Sequence, residues 1–263
     1  MSEALFLREI DGRGVARLTL NRPDVHNAFN DVLIADLTAA LEELEADPLV
    51  RIVVLASRGR NFSAGADLGW MKRMAANSQA ENQADARRLA GLMRRLNDLA
   101  KPTLALVQGP AFGGGVGLVA CCDIVIAVEG ASFCLSEVKL GLIPAAIGPY
   151  VMAAIGPRAA RRYFLSAETF SAAQAERLGL VHQVVASKEL ETAAEDLLKA
   201  LLKAGPVAQA AAKDLVKALS GRTIDDALVE DTALRIARLR AGPEAREGIA
   251  AFLEKRKPDW RGN

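Results

Sequence analysis

Hydrophobic and polar positions along the chain follow two spacings, one typical of strands and one typical of helices. Short apolar runs rich in β-branched residues predict strands at residues 5–10, 15–20, 50–57, 103–108, 124–128, 132–135 and 180–185. Apolar residues that recur every three or four positions predict helices at 31–45, 75–100, 116–122, 147–155, 157–165 and 171–178. Strands that alternate with helices in this way predict an α/β fold.

The C-terminal part of the chain carries a different pattern. Four amphipathic stretches, at residues 190–202, 206–219, 224–240 and 243–255, predict helices with no strand between them. We therefore expect an α/β core over residues 1–187 and a helical region over residues 188–263.

Composition and charge narrow the possible partners. The 263 residues include 33 Lys+Arg and 32 Asp+Glu, so the formal net charge of +1 favours neither nucleic acid nor an anionic membrane surface. Three cysteines form neither a disulfide framework nor a metal-ligand spacing, and the first residues contain no long apolar stretch. We expect a cytoplasmic protein with a small-molecule partner and no metal.

Histidine chemistry is also constrained. Only His26 and His182 are present, so a Ser-His-Asp triad or a histidine metal site would depend on one of these two residues. His182 lies in a strand-like run, where a structural role is the better explanation.

Three consecutive glycines, Gly113, Gly114 and Gly115, follow the predicted strand at 103–108. Without a Cβ they can adopt positive φ angles and present bare N–H groups, and the helix predicted after them adds unpaired N–H groups and a positive dipole. Such a corner can bind an oxyanion. A tight turn packed on a sheet explains the same glycines, so both interpretations stay open here.

A second loop, at residues 58–67, follows the predicted strand at 50–57. Asp67 immediately precedes the apolar turn at 68–74, which is the position of a helix N-cap. The segment at 63–67 therefore presents a second set of backbone N–H groups beyond a strand end.

Taken together, four segments resemble the crotonase (enoyl-CoA hydratase/isomerase) superfamily. They are SAGADL at 63–68, FGGGVGLVACCDIVIA at 112–127, LSEVKLGLIP at 135–144 and AERLGLVHQVV at 175–185. The resemblance spans nearly the whole chain and implies a crotonase-like spiral of ββα units with C-terminal helices that assemble homotrimers or hexamers. It implies an acyl-CoA thioester as substrate and no further cofactor.

The resemblance also implies roles for individual residues. It assigns the two donors of an oxyanion hole to the backbone N–H groups of Ala66 and Gly114, and the base and acid to Glu137. Hydratases of the family carry a further glutamate where this chain has Gly117, so only one carboxylate is in place. The residues implied in substrate binding are His26, Ala28, Ala64, Asp67, Leu68, Gly113 and Gly117.

Two segments look most like those of bacterial hydratases that act on 3-methylglutaconyl-CoA and isohexenylglutaconyl-CoA in leucine or acyclic-terpene catabolism. They are FSAGADLGWMKRM at 62–74 and GGGVGLVACCDIVIA at 113–127. Two alternatives stay open: a Δ3,Δ2-enoyl-CoA isomerase that uses Glu137 alone, and a non-catalytic acyl-CoA-binding or RNA-binding protein of the same fold.

Glutaconyl substrates carry a second carboxylate, which calls for a cation near the acyl group. Lys72, Arg73 and Lys139 are candidates by their proximity to the motifs, although each is also explained as a solvated charge. Basic residues 255–257 could meet the CoA phosphates or form a solvated run. Helix capping explains Asp67, and hydrogen bonding at a strand end explains Asp123.

Overall fold

Nine strands and ten α-helices cover the described residues, 4–261, of this computed structural model. The strands are β1 (Phe6–Ile10), β2 (Val15–Leu20), β3 (Ile52–Ser57), β4 (Thr103–Val107), β5 (Ala111–Phe112), β6 (Ile124–Val128), β7 (Ser132–Cys134), β8 (Phe170–Ser171) and β9 (Gln183–Val185). The helices are α1 (Asp31–Ala46), α2 (Leu68–Ala76), α3 (Gln79–Asp98), α4 (Gly114–Cys121), α5 (Gly148–Ser166), α6 (Ala172–Leu178), α7 (Leu190–Leu202), α8 (Pro206–Leu219), α9 (Asp226–Ala241) and α10 (Pro243–Leu253).

The main sheet has six strands in the order β1-β2-β3-β4-β6-β9. β1 and β2 form an antiparallel hairpin, and every later pair in this sheet is parallel. Parallel strands end at the same edge of a sheet, so the loops that follow β3 and β4 emerge side by side. A smaller sheet, β5-β7-β8, continues from that edge.

Helix α1 shows why these segments fold as the pattern predicts. Asn30 caps it, because its side chain accepts a hydrogen bond from the backbone N–H of Leu33. Leu37, Leu41 and Leu44 lie on its buried face, whereas Val32, which the pattern placed with them, is exposed.

Two predicted elements differ from the observed bounds by three residues or more. The helix expected at 75–100 is interrupted, because Ser78 and Glu81 form a reciprocal capping box that starts α3 afresh after Asn77. The strand expected at 180–185 is observed only as β9, Gln183–Val185. His182, just before it, donates its backbone N–H to the Val125 carbonyl at 2.9 Å, and its Nδ1 accepts the Val125 N–H at 3.1 Å. The structural role predicted for His182 is thereby confirmed.

The chain divides into two compact units. The first comprises the residues up to 99 and 103–195, and the second comprises 100–102 and 196–263. The first unit contains all the strands named above, and the second contains α8, α9 and α10. The division falls inside α7, after Glu195, whereas the boundary at 187/188 expected from sequence stays a prediction. No helix within residues 4–261 has both the length and the apolar content needed to cross a membrane.

Candidate active site

Two loops meet at the carboxyl edge of the main sheet. The first loop, residues 63–67, comes after β3, and the glycine corner, residues 111–115, comes after β4. The N–H of Phe112 donates to the carbonyl of Ser63 at 2.8 Å, and Ser63 also bridges to Ala111. A Cβ on Gly65 would lie only 3.0 Å from the carbonyl oxygen of Phe112. The sequence-predicted loops are therefore in direct contact, backbone against backbone.

Both loops contain unused backbone donors, and those of Ala66 and Gly114 belong to residues that are not buried. Among residues 4–261, neither the N–H of Ala66 nor that of Gly114 has a hydrogen-bond acceptor. Gly114 begins α4, so its N–H also lies at the positive end of the helix dipole. Ala66 is exposed and Gly114 half-buried, so a ligand can reach both. This pair of donors is able to bind an oxyanion.

The backbone of the glycine corner requires glycine. Gly113 has φ 47° and ψ −118°, a conformation that L side chains rarely adopt. A Cβ at this position would also lie 3.2 Å from Oε1 of Glu137. Gly113 therefore allows the start of α4 and the Glu137 carboxyl to approach each other closely.

Glu137 begins a short 3-10 turn, Glu137–Leu140, soon after β7. Its Oε2 is buried and has no hydrogen-bond partner among the described residues. Burial raises the pKa of the Glu137 carboxyl above its usual value, and a hydrogen bond with its own backbone only partly offsets this effect. A buried carboxyl without a hydrogen-bond partner destabilises the fold. The same burial suits a group that must take up and release a proton.

Gly117 lies one turn below Gly113 on α4, and its N–H donates to the Gly113 carbonyl at 3.2 Å. A Cβ on Gly117 would overlap Cγ2 of Ile147, and it would lie 3.2 Å from the sulfur of Met93. Ile147 is buried at 2% exposure. The space that a glutamate at position 117 would need is thus filled by an isoleucine side chain, which accounts physically for the single carboxylate.

Two of the residues expected to bind substrate, Gly113 and Gly117, lie on the glycine corner and on α4. The others lie in or beside the first loop. The carbonyl of His26 accepts the N–H of Ala64 at 2.9 Å, and Ala28 is buried close by. Leu68, the first residue of α2, is exposed. The structure brings His26 and Ala64 together, while a contact of Leu68 with a ligand stays a prediction.

Asp67 is the N-cap of α2, as predicted, because its Oδ1 accepts the N–H groups of Gly69 and Trp70. Its Oδ2 pairs with the Arg22 guanidinium at 2.9 Å, and both side chains are largely buried. Burial by itself would raise the pKa of Asp67, but the hydrogen bonds from Arg22, Trp70 and Gly69 lower it below its usual value. Arg22 also donates to the carbonyl of Ala28.

Sequence reasoning missed Arg22 and Phe29, which hold the first loop in place. Arg22 follows a strand and precedes a proline, and nothing in that pattern predicts a bond to Asp67, 45 residues further along. Phe29 is 1% exposed, and it lies in a mainly polar segment just before α1 that predicts no core contact.

The candidate cations differ in their partners. Arg73 pairs with Asp31 at 2.6 Å, and Arg256 in the basic tail pairs with Glu247 at 2.6 Å. Lys72 and Lys139 are exposed and form no ion pair with any residue of 4–261.

Asp123 has the structural role predicted for it, because its Oδ2 accepts the N–H and hydroxyl of Thr103. No cluster of His, Cys, Asp and Glu side chains within 4–261 has the arrangement of a metal site.

Comparison with known proteins extends these observations. The model of the enoyl-CoA hydratase/isomerase family matches residues 11–263. The solved structure of an enoyl-CoA hydratase from Shewanella pealeana is 47% identical, covers 98% of this chain and 96% of its own, and superposes with a TM-score of 0.95. The predicted crotonase-like α/β fold class is thereby confirmed.

Two relatives from Escherichia coli K12 differ in the reaction that their names give. The 2,3-dehydroadipyl-CoA hydratase is 35% identical over 263 residues and covers 100% of both chains. The 1,2-epoxyphenylacetyl-CoA isomerase is also 35% identical, over 253 residues, with 95% of this chain and 96% of its own covered. The chain is thus similar both to hydratases and to an isomerase.

Proposed function

Because this chain belongs to the enoyl-CoA hydratase/isomerase family, we propose that it adds water across the 2,3 double bond of an acyl-CoA thioester. The observation that carries the proposal is the buried, unpartnered carboxyl of Glu137 beside the glycine corner, where Gly114 offers a free N–H. A proton carrier next to oxyanion donors is what enolate chemistry at a thioester requires.

The proposed mechanism uses the groups already described. The N–H groups of Ala66 and Gly114 hydrogen-bond the thioester oxygen, and they stabilise the negative charge that builds up there. The Glu137 carboxylate takes a proton from a water molecule, whose oxygen bonds to C3 while the C2–C3 π electrons move towards the thioester. Protonated Glu137 then returns the proton to C2. The balance is one water added, and no redox or metal cofactor takes part.

A 3-substituted glutaconyl-CoA, either 3-methylglutaconyl-CoA or isohexenylglutaconyl-CoA, is the proposed substrate, in leucine or acyclic-terpene catabolism. The loop sequences at 62–74 and 113–127 support this choice by resemblance. Lys72 and Lys139 are the proposed cations for the distal carboxylate, because both are exposed and unpaired within residues 4–261. Arg73 is a weaker candidate because Asp31 already engages it.

Double-bond migration is the second candidate reaction. The observation that favours it is the side chain of Ile147, which fills the space beside Gly117, where the resemblance places a second glutamate in hydratases. Glu137 is then left to act without that second glutamate. One carboxylate can move a proton from C2 to C4 of a 3-enoyl-CoA without any water being added.

Separate incubations with 3-methylglutaconyl-CoA and with an unbranched 3-enoyl-CoA, followed by mass spectrometry, distinguish the two reactions. The proposal predicts a product heavier by one water from the first substrate. Rapid migration of the double bond in the second substrate, with no hydration of the first, would replace the hydratase by the isomerase. Inertness towards both would favour a non-catalytic acyl-CoA-binding or RNA-binding protein, although a net charge of +1 gives no support to RNA binding.

A homotrimer, alone or paired as a hexamer, is the proposed assembly in the cytoplasm. Exposed apolar side chains in each unit support it, since patches of this kind mark interfaces. They include Leu140, Leu142 and Ile143 in the first unit and Ile224, Phe252 and Leu253 in the second. Sedimentation velocity tests the assembly, and a monomeric mass at micromolar protein would overturn it.

A further inference from the structure

The main chain of Phe29 holds both sides of Ala66. Its N–H donates to the carbonyl of Gly65 at 2.6 Å, and its carbonyl accepts the N–H of Asp67 at 2.7 Å. These two bonds fix the peptide units before and after Ala66, and therefore the direction of the Ala66 N–H.

The ring of Phe29 lies against the other donor. A Cβ placed on Gly114 would be 2.6 Å from Cε2 and 2.9 Å from Cδ2 of Phe29. The ring thus packs directly on the Cα of Gly114, the residue that carries the second free N–H. One buried residue touches both donor-bearing segments, through its backbone on one side and its ring on the other.

Phe29 is itself held in place from both sides along the chain. Asn30, the next residue, is the N-cap of α1. Asn27, fully buried, donates through its side-chain amide to the carbonyls of Arg58 and Asn61 at 2.7 and 2.9 Å. A residue held in this way can keep the two loops that it touches at a fixed separation.

We propose that Phe29 is a positioning residue that sets the separation and relative orientation of the Ala66 and Gly114 N–H groups, an inference that rests on the proposed function. Hydrogen bonds to a developing oxyanion depend steeply on donor placement, and a displacement of about 1 Å costs about 100-fold in rate. A smaller side chain at position 29 should leave the donors present but spaced incorrectly.

The test compares Phe29→Leu with a matched control, Phe170→Leu. Phe170 is also buried, at 4% exposure, and its ring packs on Phe133 and Tyr163 instead of on either donor-bearing segment. Both variants should lower the melting temperature because both leave a cavity. The proposal expects kcat to fall about tenfold or more in Phe29→Leu with KM changed little, and kcat to stay within about threefold in Phe170→Leu.

A spectroscopic readout separates positioning from packing. Acetyl-CoA labelled with ¹³C at the thioester carbonyl has no double bond to hydrate, and its C=O stretch moves to lower frequency when two donors polarise it. We expect that shift in the wild type and in Phe170→Leu, and a clearly smaller shift in Phe29→Leu. If Phe29→Leu does not fold, Phe29→Met, whose unbranched and flexible side chain adapts to an irregular space, takes its place.

The outcomes are distinct. A full carbonyl shift and full kcat in the Phe29 variant, despite lower stability, would overturn the positioning role and leave Phe29 as a core residue. Absence of any carbonyl shift in the wild type would instead count against the two-donor site itself, and so against the proposed function.

Discussion

Replacing Glu137 with glutamine changes one oxygen of the carboxyl into an amide nitrogen and keeps the shape of the side chain. In the proposed mechanism this removes the group that carries the proton between water and C2, and such groups contribute about 10²- to 10⁴-fold to the rate. At about 1.36 kcal/mol for each factor of ten, the expected loss of transition-state stabilisation is about 2.7–5.4 kcal/mol. Consumption of the conjugated thioester, followed by its absorbance, measures kcat and KM.

The same substitution should not weaken the fold at neutral pH. Burial raises the pKa of Glu137 in the folded state, so folding favours the protonated carboxyl. The stability that this group contributes is complete below its unfolded pKa and is lost as pH rises through the folded pKa. Glutamine carries no such pH dependence.

The free energy of unfolding of Glu137→Gln relative to the wild type should therefore rise as the pH increases from below the ordinary glutamate pKa through the raised pKa of the folded state. Its magnitude should be about 1.36 kcal/mol for each unit by which burial raises the pKa of Glu137. Urea unfolding at several pH values measures it. The acid limb of wild-type kcat/KM should also lie above the usual glutamate pKa.

Glu129→Gln is the control for both measurements, since Glu129 is exposed and lies in the turn between β6 and β7, outside the two loops of the candidate active site. Its activity should stay within about twofold and its stability within about 0.5 kcal/mol of the wild type. The reasoning fails if Glu137→Gln retains more than about a tenth of the wild-type kcat, because general acid-base catalysis contributes at least about 100-fold.

Three further substitutions test the surroundings of the site. Gly117→Glu should destabilise the protein by about 1–3 kcal/mol or more in urea, and adding Ile147→Ala should recover part of that loss by making room. Arg22→Met keeps the aliphatic stem but breaks the bond to Asp67, so it should cost about 1.5–3 kcal/mol of stability and lower kcat; an unchanged melting curve would contradict this. Gly113→Ala forces a Cβ into positive φ, which should cost about 1–3 kcal/mol and lower kcat by displacing the neighbouring carboxyl.

Local signals in the sequence were sufficient to predict much of the fold. Asp67 before an apolar turn indicates an N-cap, and the structure confirms it. The interruption before α3 depends on an equally local signal, Ser78 followed by Glu81, which a continuous helical pattern from 75 to 100 concealed. The C-terminal helices α8 and α9 begin and end within two residues of their predicted bounds.

The site was harder to predict, because its essential contacts join residues that lie far apart along the chain. The ring of Phe29 meets Gly114, and the side chain of Ile147 fills the space beside Gly117. Large apolar side chains such as these are usually buried, but a hydrophobic pattern carries no information about which backbone they touch. The burial of Glu137 likewise depends on three-dimensional packing, so the unpaired Oε2 could not be foreseen.

The isoleucine beside Gly117 also restricts how this chain can evolve. A mutation that places glutamate at position 117 first meets an occupied space, and one that trims Ile147 first leaves a cavity, at a cost of about 2–5 kcal/mol. Natural domains have a free energy of unfolding of only about 5–15 kcal/mol, so either first substitution removes a large part of the stability. The effect of a substitution at either position therefore depends on the residue at the other. We expect a descendant of this chain to keep one carboxylate unless both positions change together.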